Sequence, residues 1–146
     1  MLMQLVLATV MVVAIVIIHL AGLGILMHLL RNRPRATINH MPLTVLVGAT
    51  IGIIAIHTVE IWLYAVVYLA LHAVDAFEPA LFLSTVTYAS IGSSEVLMPT
   101  RWRIFGAIEG AVGIIMLGWS TAFLISLLAR LKVLGHDWLQ PDGRDD

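Results

Sequence analysis

Between Leu2 and Leu30 the chain carries no Asp, Glu, Lys or Arg, and only Gln4, His19 and His28 are strongly polar interruptions of the apolar run. A transmembrane helix needs about 20 mostly apolar residues in succession, so this run predicts a membrane span. It ends at Arg31-Asn32-Arg33-Pro34-Arg35, a charged break that contains a helix-stopping proline. Two further runs follow, from Pro42 to about His72 and from Arg103 to about Leu131. Three such spans leave little of a 146-residue chain for anything else.

A cleaved signal peptide begins with positive charge and has an apolar region of about 7–15 residues. No Lys or Arg precedes Leu2 and the run is far longer, so it reads as a retained helix. Composition agrees with an integral membrane protein: 60% of residues are hydrophobic and 12% charged, against about 45–50% and about 25% in ordinary globular domains. A formal net charge of -1 and no basic face argue against nucleic-acid binding. The absence of cysteine excludes disulfides, iron–sulfur clusters and thiolate metal sites.

The segment from Phe77 to Pro99 differs from the three runs. Phe77-Glu78-Pro79-Ala80 carries a helix-start signal, with proline in the first turn and an acid at the positive end of the helix dipole. Ala80 to Tyr88 is apolar enough for a short helix, and Ser90-Ile91-Gly92-Ser93-Ser94-Glu95 is polar and contains glycine. This stretch is too short and too polar to span. It fits either a re-entrant loop, whose irregular backbone must be covered by protein or by a water-filled cavity, or a surface helix in an ordinary loop. The positive-inside rule sets Arg31, Arg33, Arg35, Arg130, Lys132 and Arg144 against Arg101 and Arg103. It predicts a cytoplasmic 31–41 loop and C-terminus, with the N-terminus and the 73–102 loop outside.

Leu83-Ser84-Thr85-Val86-Thr87-Tyr88-Ala89-Ser90-Ile91-Gly92-Ser93-Ser94-Glu95 resembles the pore loop of the potassium-channel superfamily. The Trp102-Arg103 junction and the glycine-rich helix after it fit the same family, in its small bacterial two-transmembrane form. The resemblance implies an all-α membrane protein with three transmembrane helices and a re-entrant pore helix between the second and third. Residues 1–31 form an added N-terminal helix and 32–41 a basic loop. Residues 42–132 form the pore module (outer helix 42–72, pore helix and filter-like loop 77–99, inner helix 103–131), and 133–146 the tail. It also implies self-association, a homotetramer with a pentamer as the alternative, in the lipid of a bacterial inner membrane. No cofactor or bound metal is expected beyond permeant monovalent cations, K+ or Na+.

The filter-like loop, Thr87 to Glu95, departs from the family pattern. Thr-Val-Gly-Tyr-Gly followed by Asp becomes Ser90, Ile91, Gly92, Ser93, Ser94 and Glu95. Ser90 keeps the hydroxyl of the innermost ion site and Ile91 keeps a β-branched body. Ser93 is too short to brace the filter from behind as tyrosine does. A serine in place of the second glycine costs about 1–2 kcal/mol wherever positive φ is needed. The expectation is a wider mouth lined by Ser93 and Ser94 with a ring of Glu95 carboxylates, which favours cations. The result is a cation pore with weak or lost potassium selectivity. The competing readings are a non-conducting channel-like scaffold or sensor, and an anion pore, which the acids at the mouth disfavour. No catalytic constellation is present in the sequence, so an enzyme is not expected.

Two acids lie inside spans, where a charge costs about 2.5–3.5 kcal/mol or more. His57 and Glu60 share a helix face at i,i+3 spacing, and Glu109 lies about two turns into the inner helix. They are read as filter support from behind, accepting hydrogen bonds from the loop backbone or Tyr88, or as a proton or metal site. His19 reads as a hydrogen-bonded packing or interface residue. Gly48-x-x-x-Gly52 and Gly106-x-x-x-Gly110 are close-packing patterns. Gly110, Gly113 and Gly118 are hinge candidates, and Ile115 or Trp119 a hydrophobic gate. Trp62, Tyr64, Tyr68 and Trp102 are expected in the interfacial aromatic belt.

Overall fold

The computed structural model describes residues 2–31, 42–91 and 98–131. Its elements, in chain order, are α1 (Leu2–Arg31), α2 (Pro42–Ala70), α3 (Phe77–Tyr88), a 3-10 turn (Thr100–Trp102) and α4 (Arg103–Arg130). Among the described residues there is no strand, and α1, α2 and the turn with α4 are each long and apolar enough to cross a membrane. The protein is an all-α membrane protein.

Each long helix buries one stripe. On α1 it is Ala8, Met11, Ile15, His19 and Leu26, spaced by about one or two turns. On α2 it runs through Ala49, Ile53, Glu60, Tyr64 and Tyr68, and on α4 through Phe105, Glu109, Val112, Met116 and Ser120. Lipid gives apolar side chains no reason to leave it, so close packing and hydrogen bonds must hold such helices together. Small residues provide the closeness. A Cβ on Gly22 would come within 2.7 Å of Ile56 on α2, and one on Gly52 within 2.9 Å of Leu26 on α1. Gly48 meets nothing within 4 Å. The remaining faces of α1, including Val6, Val10, Val13, Ile17 and Leu20, are exposed. Hydroxyls on the outward faces bond within their own helix, as Thr9 to the Leu5 carbonyl (2.8 Å) and Thr121 to the Leu117 carbonyl (2.8 Å), because lipid offers no partner.

The short helix α3 dives into this bundle. At 12 residues it is about 18 Å long, too short for a hydrocarbon core of about 30 Å. Its last residue, Tyr88, bonds Glu60 and packs against Gly113. Glu60 lies ten residues before the end of α2 at Ala70, and Gly113 ten residues after the start of α4 at Arg103. Both distances correspond to about 15 Å of rise. The helix therefore enters at the end of the bundle formed by residues 71–76 and stops near mid-depth.

Both α2 and α3 end in the same way. Ala73 N–H donates to the Tyr68 carbonyl (2.9 Å) and His72 N–H to that of Leu69 (3.0 Å). Ile91 N–H donates to the Val86 carbonyl and Ser90 N–H to that of Thr87. These are Schellman closures, whose C′ residue adopts left-handed backbone. Here that residue is not glycine: His72 has φ 50° and Ser90 has φ 55°.

The expected aromatic belt is corrected. Only Trp62 is exposed, at 53%. Tyr64, Tyr68 and Trp102 are buried, with their rings edge-on to Phe105 at 5.7, 5.5 and 6.4 Å. The incoming α3 wedges the long helices apart at this end, and large rings fill the gap. Arg101 closes it, donating from Nη2 to the His72 carbonyl at 3.0 Å.

Candidate functional site

Two buried glutamates, Glu60 on α2 and Glu109 on α4, hold α3 through Tyr88 and Ser84, which share one face of that helix. Glu60 has no exposed surface. Its Oε1 lies 2.9 Å from His19 Nδ1, and its Oε2 lies 3.1 Å from His57 Nδ1. Tyr88 Oη donates to Oε2 at 2.5 Å and also lies 3.0 Å from His57 Nδ1. The far side of both imidazoles meets one hydroxyl: Ser120 Oγ is 3.0 Å from His57 Nε2 and 3.4 Å from His19 Nε2. The cluster thus joins α1, α2, α3 and α4 in one network at mid-depth. Three side chains converge on the carboxyl group and the Tyr88 hydroxyl donates to it, which offsets part of the cost of placing it away from water. His19, His57 and Glu60 each present a ligand atom within 4.8 Å of the other two, a spacing able to hold a metal ion.

Glu109, also fully buried, forms a second and separate cluster nearer the loop end. Tyr68 on α2 donates its hydroxyl to Oε2, and Ser84 on α3 lies 2.7 Å from Oε1. Ser84 Oγ is also 2.9 Å from the Ile61 carbonyl. Glu109 therefore pins the middle of α3 while Glu60 pins its last residue. Between them, Tyr64 Oη is buried with no hydrogen-bond partner among the described residues.

Below Tyr88 the chain meets α4 backbone to backbone. A Cβ on Gly113 would lie 2.1 Å from the Tyr88 carbonyl oxygen, and one on Gly110 would lie 3.1 Å from that of Thr87. Ser90 then donates from Oγ to the Gly110 carbonyl at 3.2 Å. Ile91 is 75% exposed. Of the filter-like loop, Thr87 to Ile91 are described, whereas Gly92, Ser93, Ser94 and Glu95 lie outside the described residues.

The sequence singled out His57, Glu60 and Glu109 as one group. The fold brings His57 and Glu60 together and places Glu109 in the other cluster. It adds His19, Ser84 and Ser120, which carry no sequence signal beyond being polar in apolar helices. Among the hinge and gate candidates, Gly110 and Gly113 receive the end of α3, while Gly118 meets nothing within 4 Å. Trp119 turns its ring toward α1, 6.2 Å from His19, and Ile115 is exposed.

A family model described as an ion channel matches residues 41–130, the stretch from the start of α2 to the end of α4. No curated protein and no solved structure matches the chain.

Proposed function

Because the chain belongs to this potassium-channel-like ion-channel family, we propose that several copies assemble into a cation-permeable pore with weak or lost potassium selectivity. The observation that carries this reading is the depth at which α3 ends. Tyr88 stops beside Glu60 and Gly113, so the segment from Ser90 onward begins inside the membrane. Backbone at that depth needs a water-filled cavity or covering protein, and one chain supplies only one such segment. Four copies around an axis, in the manner of the family, would enclose it, and the exposed Ile114, Ile115 and Leu117 on α4 offer apolar surface for that assembly.

In this reading Ser90 to Glu95 line the ion path, with Ser93, Ser94 and Glu95 forming a wide acidic mouth. Glu60 and Glu109 fix the pore helix from behind through Tyr88 and Ser84. Gly110 and Gly113 are docking positions, and Gly118 is the hinge position on α4. K+ or Na+ is the permeant ion. The tail faces the cytoplasm of a bacterial cell, since Arg31, Arg33, Arg35, Arg130, Lys132 and Arg144 on that side outnumber Arg101 and Arg103 on the other.

The test is reversal potential in planar bilayers with the purified oligomer, under K+ against Na+ and then under a salt gradient. A cation current that barely distinguishes the two supports the proposal. Strong potassium preference would mean that a carbonyl filter survives the Ser93 and Ser94 changes. Reversal toward chloride would overturn the acidic mouth. Silence from a confirmed oligomer would favour a non-conducting scaffold.

A further inference from the structure

We propose that His19, His57 and Glu60 bind a divalent transition-metal ion of the zinc class, which ties α1 to the pore module at the foot of the pore helix.

The two imidazoles are oriented alike. Each turns Nδ1 toward Glu60 and Nε2 toward the single hydroxyl of Ser120. Counting protons shows which arrangements the cluster allows. With neutral rings and an ionised Glu60, the cluster holds four protons: one on each ring, one on Tyr88 and one on Ser120. If both Nδ1 atoms carry theirs toward Glu60, both Nε2 lone pairs face Ser120, whose one O–H serves only one of them. The other is left opposite a lone pair, although His19 is fully buried. Without a metal the rings must take opposite tautomers, with Tyr88 O–H shared between Glu60 Oε2 and His57 Nδ1, His57 Nε2–H donating to Ser120 and Ser120 O–H donating to His19 Nε2; a metal lets both rings act alike. With protons on both Nε2 atoms, Ser120 Oγ accepts from the two rings, Tyr88 still donates to Glu60 Oε2, and the lone pairs of both Nδ1 atoms and of the carboxylate converge on the cation. A metal-bound histidine ordinarily gives its other N–H to an oxygen in this way.

The spacing and chemistry suit zinc. Nitrogen and oxygen ligands at about 2.0–2.2 Å in a tetrahedron lie roughly 3.3 Å apart. His19 Nδ1 and His57 Nδ1 lie 2.9 and 3.1 Å from the two oxygens of Glu60, and one ligand atom from each of the three residues falls within 4.8 Å of the others. Two histidines and a glutamate are a zinc donor set that leaves a fourth position. His57, with 11% of its side chain exposed, provides the way in. Glu109 makes the contrast: Tyr68 and Ser84 meet it with hydroxyls, and among the described residues no imidazole bonds it.

The test is zinc content of the purified, chelator-treated oligomer after loading and desalting, read by elemental analysis, with Co2+ absorption as a second probe. About one ion per chain is expected in the wild type. His19→Gln and Glu60→Gln should reduce it to background, and Ser120→Ala should weaken binding about 10–100-fold. Glu78→Gln, at an exposed acid outside the cluster, should bind as the wild type does. A wild-type oligomer that retains no zinc overturns the proposal. Equal retention by His19→Gln or Glu60→Gln also overturns it, since the ion would then lie elsewhere. Should either variant fail to assemble, the wild-type stoichiometry and the Ser120→Ala titration decide the matter.

Discussion

The carbonyl oxygen of Tyr88 occupies the space that a side chain at Gly113 would need: a Cβ built there would lie 2.1 Å from it and 2.9 Å from its carbon. The contact is between two backbones, so no rotamer change relieves it. The end of α3 is thereby registered against α4, just before the turn at Ala89 and Ser90. Movement of α4 at this level must move that turn.

Gly113→Ala should therefore destabilise the folded chain by about 3 kcal/mol, the upper end of the usual overpacking penalty. Gly118→Ala, where nothing lies within 4 Å in the chain, should be tolerated, with a gain of up to about 1 kcal/mol in helix propensity. Thermal unfolding of the detergent-solubilised protein compares them. Equal melting of the two variants would refute the docking role of Gly113.

Ser84→Ala and Tyr64→Phe should act in opposite directions although both delete one buried hydroxyl. Ser84 serves Glu109 and the Ile61 carbonyl, so its loss leaves buried groups unpaired at about 1–3 kcal/mol. Tyr64 Oη has no partner among the described residues, and its removal should be neutral or stabilising. Chemical or thermal denaturation of each reads the sign directly.

Tyr88→Phe removes the donor to Glu60 Oε2 while keeping the ring. A loss of about 1.5–3 kcal/mol is expected for a hydrogen bond to a carboxylate, together with altered conductance because the turn at Ser90 loses its anchor. Wild-type stability and single-channel current in this variant would show that Tyr88 does not hold the pore helix.

His72→Gly should stabilise the chain. His72 is exposed and holds φ 50° at the end of α2, a conformation that costs a side-chain-bearing residue about 1–2 kcal/mol and glycine almost nothing. A rise in melting temperature is the expected reading, and a fall would mean that the imidazole makes a contact worth more than the strain.

Ser93→Tyr combined with Ser94→Gly should raise potassium preference over sodium, and Glu95→Gln should lower the preference for cations over anions. Both are read as shifts in reversal potential. No shift from either would remove this segment from the ion path.

The three spans were legible in the sequence because hydropathy is a local sum: about 20 apolar residues in lipid have no alternative to a helix. The family resemblance was legible because pore loops are short and contiguous. The partners of the buried acids were not. His19 and Glu60 are 41 residues apart, as are Tyr68 and Glu109, and their meeting depends on how far each helix is rotated about its axis. That rotation is chosen jointly by the glycine contacts at Gly22, Gly52 and Gly113 and by where α3 wedges in, quantities that no single window of residues contains. The same wedge drew Tyr64, Tyr68 and Trp102 inward, against the belt that their positions suggested. Sequence alone determined that this chain is a membrane protein with three helices long and apolar enough to span, and that it resembles an ion-channel family. Only the tertiary structure decided that His19 joins His57 and Glu60, because a polar residue in an apolar helix must find a partner, and which partner it finds is a property of packing.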